Sequence, residues 1–200
     1  PQDGLPSDIV LALVPARAGG IWAGTTRGLA RVSGGRVAET WTGAGADSAE
    51  IHALLEEPDG TLWIGTYRGG LLMWRDGAVR ATYTVQQGMP VNDVRALHRD
   101  VSGTLWIGTF GGGLARLDKG RLTHYGRREG LLDDVISQIL EDDDGNLWMS
   151  SNRGLFRVSR SSLNDFAAGK SAANGASVYG GAGGMSNQEC NGGSQPAGCR

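Results

Sequence analysis

Apolar residues along this chain fall in short runs separated by turns rich in glycine and aspartate. The segment 51–83 shows the pattern most clearly. Its apolar runs are residues 51–55, 61–66, 71–74 and 79–83, with turns at 57–60 and 76–77. Runs of this length bounded by Gly, Pro and Asp are typical of strands, and the first 160 residues show no sustained 3.6-residue period. The pattern predicts an all-β chain of many short strands.

The strand pattern repeats, and tryptophan marks the period. Trp22, Trp63, Trp106 and Trp148 are 41, 43 and 42 residues apart. Each has a glycine three residues and eighteen residues before it, and a β-branched residue twelve residues before it. These β-branched residues are Val10, Ile51, Val94 and Ile136. Four short strands in about 42 residues are typical of a β-propeller blade, so we interpret the repeated tryptophans as blade core.

The predicted blades cover almost the whole chain. Their approximate ranges are residues 4–44, 45–87, 88–129 and 130–183, with residues 184–200 as the start of an incomplete further blade. An insertion at 159–177 interrupts the fourth repeat. Within it, Ser162 is expected to cap a short helical turn that ends near Gly169, before a strand at Ser177–Tyr179.

Composition narrows the functional classes. Glycine supplies 34 of 200 residues, against an average near 7%, as expected for a turn-rich chain. The 19 basic and 21 acidic residues give a net charge of -2, which disfavours nucleic-acid binding. The sequence contains no apolar run long enough for a membrane span, so this piece is expected to be soluble. Cys190 and Cys199 lack metal-ligand spacing; they could be bonded or free.

The repeats also resemble a known family. Residues 3–10 read Asp-Gly-Leu-Pro-Ser-Asp-Ile-Val, and residues 100–114 combine an Asp-x-x-Gly turn with Leu-Trp-Ile-Gly-Thr and a later Gly-Gly-Leu. This combination is similar to the two-component regulator propeller repeat. Residues 184–197 resemble the stretch that, in this family, enters the last blade before a β-sandwich and a membrane span. Copy one departs from the pattern at residues 16–19, where the turn aspartate is absent, and copy two at residues 44–46, where Gly-Leu-Pro would stand.

The resemblance implies the periplasmic sensor region of a membrane receptor whose cytoplasmic half is a histidine kinase, often a hybrid one, or a diguanylate cyclase. No cofactor is predicted. Four repeats cannot close a ring of the usual six to eight blades, so we expect an open arc, a fragment of a larger propeller. Its partners would be the remaining blades and the β-sandwich of the parent chain, and a homodimer of the parent receptor is compatible with this interpretation.

Candidate binding residues lie in loops that should share one face of the disc, the loops between strands two and three and the loops that lead into strand one. Aromatic, guanidinium and carboxamide groups replace one another there, and such groups suit an oligosaccharide, including an acidic one. The candidates are Tyr67, Arg68, Phe110, Arg27, Asn152 and Arg153. The alternative for the arginines is a scaffold role, in which they pair with Asp93 or Asp134 of the next blade.

Other conspicuous groups do not predict a catalytic or metal site. The acidic run at 141–146 lacks the spacing of an EF-hand loop and is interpreted as a solvated turn. His52, His98 and His124 fall at three different blade positions without metal-ligand or triad spacing, so no catalytic or metal residue is predicted. The preferred function is ligand sensing without catalysis. A propeller lyase of the streptogramin or polysaccharide type and a protein-interaction platform remain the alternatives.

Overall fold

The computed structural model describes residues 3–42, 50–171, 175–179, 190 and 195. It contains four separate four-stranded antiparallel sheets, and each sheet takes its strands in chain order. The strands of blade one are β1 (Val10–Pro15), β2 (Ile21–Thr25), β3 (Gly28–Ser33) and β4 (Arg36–Trp41). Those of blade two are β5 (Ile51–Glu56), β6 (Leu62–Thr66), β7 (Gly70–Arg75) and β8 (Ala78–Tyr83).

Blades three and four follow the same plan. Blade three has β9 (Val94–Arg99), β10 (Leu105–Thr109), β11 (Leu114–Asp118) and β12 (Arg121–Tyr125). Blade four has β13 (Gln138–Glu141), β14 (Asn146–Ser151), β15 (Gly154–Ser159) and β16 (Ser177–Tyr179). The first strand of each blade lies beside the first strand of the next, so β1, β5, β9 and β13 are innermost. The chain is an open arc of propeller blades, and the predicted fold class is confirmed.

A glycine on the second strand of one blade packs directly against the repeated β-branched residue of the next blade. A Cβ built on Gly24 would lie 2.5 Å from Ile51 Cγ2, and one built on Gly65 would lie 2.6 Å from Val94 Cγ1. Gly108 faces Ile136 at 2.9 Å in the same way. The two sequence signals, glycine after tryptophan and a β-branched residue before it, are therefore two halves of one inter-blade contact.

Blade one leaves its corresponding face uncovered. Val10, Leu13 and Ile21 are 36%, 42% and 41% exposed. Their counterparts in blades two to four bury against the preceding blade and are at most 7% exposed. Blade one thus presents to solvent the apolar surface with which the other blades pack.

The fourth blade carries the insertion as a helix. Helix α1 spans Arg160–Ala167 and begins directly after β15, with Ser159 at the N-cap position. The expectation that Ser162 caps the helix is wrong, because the chain turns helical immediately at the strand end. Contacts with blade three hold α1 in place: the Tyr125 hydroxyl donates to the Leu163 carbonyl at 2.8 Å, and Leu163 is fully buried. None of the described helices has the length and apolar character that a membrane-spanning helix needs.

Two residues of the C-terminal segment are described. The Cys190 N–H donates to the Ser151 carbonyl at 2.9 Å, as the Ile136 N–H does to Thr109 at the previous blade junction. Cys190 carries a free thiol, and Cys199 lies outside the described residues. Gln195 reaches the innermost strands, where its carboxamide accepts from Leu54 N–H at 2.6 Å and donates to the Leu54 carbonyl at 3.0 Å.

In blades two, three and four, the turn between the first two strands supplies a hydrogen-bond acceptor to the repeated tryptophan. The indole N–H of Trp63 donates to Glu57 at 3.0 Å, that of Trp106 donates to Asp100 at 2.9 Å, and that of Trp148 donates to Asp142 at 2.7 Å. Hydrogen bonds from Asn146 and Trp148 lower the pKa of Asp142 to about 2. The acidic run at 141–146 is therefore a turn with a structural carboxylate. Blade one has Ala16 at this position, and the buried Trp22 Nε1 has no hydrogen-bond partner among the described residues.

Replacing Ala16 by aspartate should raise the free energy of unfolding by about 1 kcal/mol, because it supplies an acceptor to a buried donor. The turn already has the required backbone, since Ala16 N–H donates to Gly20 as Asp100 N–H does to Thr104. Chemical denaturation at neutral pH and near pH ~3 would measure the gain, which should shrink in acid as the new carboxylate is protonated. Ala16→Leu is the control; an equal gain from it would assign the effect to apolar burial.

Candidate functional site

Main-chain hydrogen bonds join the predicted loops on one face. Tyr67 N–H donates to the Glu50 carbonyl at 2.8 Å and Phe110 N–H to the Asp93 carbonyl at 2.9 Å. Each bond ties a loop between strands two and three to the segment that leads into strand one. The loops are therefore held on a rigid scaffold, and the side chains that they carry have fixed starting points.

Each loop is closed by the residue that ends its second strand. The hydroxyl of Thr66 donates to the Gly70 carbonyl at 2.8 Å, and Thr109 bonds Gly113 at 2.7 Å in the same way. Arg68, inside the first of these loops, has a φ of 64°, a left-handed conformation that is uncommon outside glycine. This backbone sets the Arg68 guanidinium over the Tyr67 ring, 4.7 Å from its centroid.

The centre of the site is Arg95, which the sequence did not single out. Its guanidinium carbon lies 5.7 Å from the centroid of Tyr67 and 5.2 Å from that of Phe110, so one cation links an aromatic ring of blade two with one of blade three. The Asp93 carboxylate contacts the same guanidinium: its Oδ1 lies 2.7 Å from Nε, and its Oδ2 lies 2.9 Å from Nη2. We call Tyr67, Arg95 and Phe110, with Arg68 over Tyr67, the recognition cluster.

His52 completes the support of the recognition cluster. Arg95 Nη1 lies 3.2 Å from His52 Nδ1, and His52 Nε2 lies 3.4 Å from Glu50 Oε2. His52 is 8% exposed. Burial, followed by the Arg95 charge, lowers the pKa of His52 below its usual value, although Glu50 and Asp93 act in the opposite direction.

β-Bulges explain why His52 and Arg95 point to this face. The pairing register shifts between Ile51 and Ala53 in β5, and the partners of Gly108 and Thr109 shift from Ala96 to Val94 in β9. His52 and Arg95 are the extra residues, and a bulge re-aims its side chain. The signal in the sequence is that this strand position changes from Leu11 to a basic residue in the middle copies, while its neighbours stay apolar.

The structure brings together three of the six predicted binding residues. Tyr67 is partly buried, Arg68 is exposed and Phe110 is 50% exposed. Arg27, Asn152 and Arg153 lie in the equivalent loops of blades one and four, and they are exposed. No hydrogen bond, ion pair or ring contact in the described part of the chain joins the side chains of these last three to the recognition cluster.

The alternative scaffold role for the loop arginines does not match the contacts of the described residues. Asp93 pairs with Arg95, and Asp134 Oδ1 accepts the main-chain N–H of Arg127 at 2.8 Å. None of Arg27, Arg68 and Arg153 forms an ion pair with a described acidic residue. In particular, Arg68 keeps its guanidinium donors available.

Two cavities lie on the opposite face, between neighbouring blades. One of about 590 Å³ is lined by Trp63 and Arg99, among others, and one of about 530 Å³ by His98 and Arg160. Several of their charged groups are already paired: Arg99 lies 3.2 Å from Glu57, and both His98 and Arg160 reach Glu141. Among the residues that the structure describes, no three His, Cys, Asp or Glu side chains are grouped to hold a metal ion.

Three segments of the chain, residues 45–68, 88–111 and 130–153, match the model of the two component regulator propeller. Each segment runs from a glycine that precedes strand one to the loop after strand two, and the last two of the three segments begin at Gly88 and Gly130. The loops that carry Tyr67 and Phe110 are therefore part of the matched pattern, although the side chains on them vary. No curated protein is detectably similar to the chain in sequence.

Solved structures share the fold. The extracellular domain of a protein described as a hybrid two component system of B. thetaiotaomicron matches 94% of this chain, at 19% identity and a TM-score of 0.56. A second such domain of that organism matches 92% of the chain, at 16% identity and a TM-score of 0.66. This chain spans 30% and 25% of those two domains. Virginiamycin B lyase of Staphylococcus aureus matches 76% of the chain and 53% of its own length, at 16% identity and a TM-score of 0.61.

Proposed function

Because this chain carries repeats of the two component regulator propeller, we propose that it is part of the extracytoplasmic sensor region of a membrane receptor. In this role it lies on the periplasmic side of the inner membrane and binds a small extracellular ligand, with an oligosaccharide as the best chemical fit. The observation that carries the binding part of the proposal is the recognition cluster, an aromatic and cationic surface that is exposed at Arg68 and Phe110 and differs from copy to copy on an otherwise repeated scaffold.

The cluster suits a sugar for physical reasons. Phe110 exposes half of its surface, and a flat ring of this kind stacks on the apolar face of a pyranose. The charge of Arg95 is neutralised by Asp93, and its guanidinium contacts the two rings. Arg68 forms no ion pair with a described acidic residue, so its N–H donors can bind a carboxylate or sulfate. The same site therefore accepts a neutral oligosaccharide by stacking and gains further affinity from an acidic substituent.

The proposed partners follow from the uncovered face of blade one. Val10, Leu13 and Ile21 repeat the positions that the other blades bury, so a further blade of the parent receptor is the natural cover for them. We extend the proposal to the remaining blades and the β-sandwich of that receptor. The signal would pass through them to a cytoplasmic kinase.

A lyase is the second candidate, favoured by the likeness to virginiamycin B lyase. A catalytic site of that kind would need a polar constellation at one place. His52 is committed to Arg95 and Glu50, and His98 is paired with Glu141 on the opposite face. These two histidines are thus separated and engaged in structural pairs, which supports sensing without catalysis over the lyase.

Substitution of the two rings of the recognition cluster should weaken ligand binding without unfolding the protein. Tyr67→Ala and Phe110→Ala are each expected to cost about 1 kcal/mol or more of binding free energy, because a stacking surface is lost. Arg68→Ala should affect acidic oligosaccharides more than neutral ones, and most at low salt. Calorimetric titration of the complete receptor ectodomain with neutral and acidic oligosaccharides measures all three effects.

Arg27→Ala provides the matched control, because Arg27 occupies the equivalent loop of blade one outside the cluster. Thermal midpoints should stay within experimental error in every variant. Undiminished affinity in Tyr67→Ala, Phe110→Ala and Arg68→Ala would remove the site while leaving the sensor role intact. Conversion of a tested substrate into products by the unmodified ectodomain would replace the sensor role with the lyase.

A further inference from the structure

The contacts of His52 fix its protonation state in the assembled cluster. A guanidinium only donates hydrogen bonds, so the contact of 3.2 Å from Arg95 Nη1 requires His52 Nδ1 to accept. The ring is therefore neutral, and its single proton sits on Nε2, the atom that faces Glu50 Oε2 at 3.4 Å. Addition of a second proton would place two donors against each other at Nδ1.

Arg95 transmits any change at His52 to the binding surface. One nitrogen of its fork contacts His52, two others contact Asp93, and its flat face lies between Tyr67 and Phe110. The guanidinium is rigid and planar, so a rotation that moves it away from His52 also changes its contacts with Asp93 and with the two rings. Arg95 is thus the side chain through which His52 is coupled to both rings.

We propose that protonation of His52 disassembles the recognition cluster, so that the ligand-binding face is open for binding near neutral pH and switched off in acid. This gate rests on the proposed function, because it regulates the same site. Its structural half, the coupling of His52 to Arg95, holds whether or not a sugar is the ligand.

The charges around His52 set the direction of the switch. Among the described residues, the groups that face it are Glu50 on its own chain segment, Asp93 and Arg95 from blade three, and the Tyr67 ring, whose centroid lies 6.3 Å from that of His52. The two carboxylates favour the imidazolium, but burial and Arg95 outweigh them and lower the pKa of His52. The assembled cluster thus binds fewer protons than an opened one in which His52 regains its ordinary value of about 6.5.

The sign of the pH dependence follows by linkage. Above about pH 6.5 His52 is neutral in both arrangements, and the assembled cluster has its full advantage. As the pH falls below that value, the opened arrangement takes up a proton first and is favoured progressively, until the pH passes the lowered pKa. Ligand affinity should fall over the same window, because the ligand binds the assembled arrangement.

The first experiment needs no ligand. Nuclear magnetic resonance of the purified protein follows the His52 Cε1–H and the Arg95 Nε–H signals between about pH 8 and pH 4.5. The His52 midpoint should lie below about 6.5, and the Arg95 signal should move with the same midpoint. The exposed His124 of β12 is the internal reference, and His124→Asn should leave both curves unchanged. An Arg95 signal that ignores the His52 titration would overturn the gate.

The second experiment measures affinity with defined probes, a neutral β-glucan hexasaccharide and an oligogalacturonate. The saccharide that binds the complete ectodomain should have an affinity at least about five-fold lower near pH 5 than near pH 7.5. His52→Asn keeps an acceptor near the Nδ1 position but does not titrate. The affinity of this variant should therefore differ by less than about two-fold between pH 5 and pH 7.5.

The two experiments separate the proposals. Equal affinity at both pH values in the unmodified protein would overturn the gate and leave the proposed function standing. Absence of binding by any tested saccharide would count against the proposed ligand, while the linked His52 and Arg95 titrations would still decide the gate. Should His52→Asn fail to fold, the titration of the unmodified protein alone remains decisive.

Discussion

Replacing Trp106 by alanine should lower the free energy of unfolding by about 3 to 5 kcal/mol. Trp106 is fully buried, its ring lies 6.2 Å from that of Tyr125, and its Nε1 donates to Asp100 at 2.9 Å. Truncation removes the packing and also takes a donor from Asp100, whose side chain has no exposed surface. Blades two and four flank the site, so the cavity cannot collapse easily.

The Asp100 carboxylate explains why this tryptophan should matter more than its area suggests. Burial alone would raise the pKa of Asp100, but hydrogen bonds from Ser102, Trp106 and Thr104 outweigh it and hold the pKa below its usual value. Loss of one of these donors leaves a buried carboxylate less well satisfied, which adds to the cavity term.

Urea denaturation followed by circular dichroism measures the loss. Trp148 is only half-buried, so Trp148→Ala should cost clearly less than Trp106→Ala. Val101→Ala, at a residue that is 89% exposed, should change stability by less than about 0.5 kcal/mol. A loss below about 1 kcal/mol for Trp106→Ala would show that the indole does not anchor the blade.

The fold was predictable because the pattern of one structural unit occurs four times in the sequence. A single Trp with a nearby glycine would say little, but four copies in register identify strand two, the turn before it and the strand that begins each blade. The pairs Gly65 with Val94 and Gly108 with Ile136 show the physical basis of this regularity, since each repeated glycine makes room for one repeated β-branched residue.

The candidate site was predictable only in part. Topology places Tyr67, Arg68 and Phe110 on one face, because loops of alternate hairpins share a face. The central role of Arg95 was not predictable in the same way. Simple alternation assigns a side for each strand residue, but a β-bulge adds one residue and redirects the side chain, and a lone sequence carries no direct sign of a bulge.

Contacts between distant parts of the chain were likewise beyond the sequence. The helix at Arg160–Ala167 begins after Ser159 and not after Ser162, and contacts of Tyr125 from another blade and of Arg116 with Asn164 fix its position. Local capping rules weigh only neighbours in sequence, and here a cross-blade hydrogen bond to the Leu163 carbonyl decides where the helix packs.

The inter-blade socket, the space at Gly65 that Val94 fills, leads to the second large effect. Gly65→Ala should destabilise the protein by about 1 to 3 kcal/mol, as overpacking does in a core without free volume. The new Cβ would stand 2.6 Å from Val94 Cγ1 and 3.1 Å from Ala53 Cβ. Val94 is fully buried and β-branched, so it cannot turn away without leaving its preferred rotamer. Thermal and chemical denaturation should both register the loss.

A double-mutant cycle tests whether the socket itself is responsible. Val94→Ala alone should destabilise by removing buried methyl groups, but Gly65→Ala should then cost at least about 1 kcal/mol less in that background than alone, because the clashing methyl is gone. Gly175→Ala is the matched control, since a Cβ there meets no described atom within 4 Å. An equal cost of Gly65→Ala in the unmodified protein and in the Val94→Ala background would mean that the glycine is needed for its backbone and not for the residue it receives.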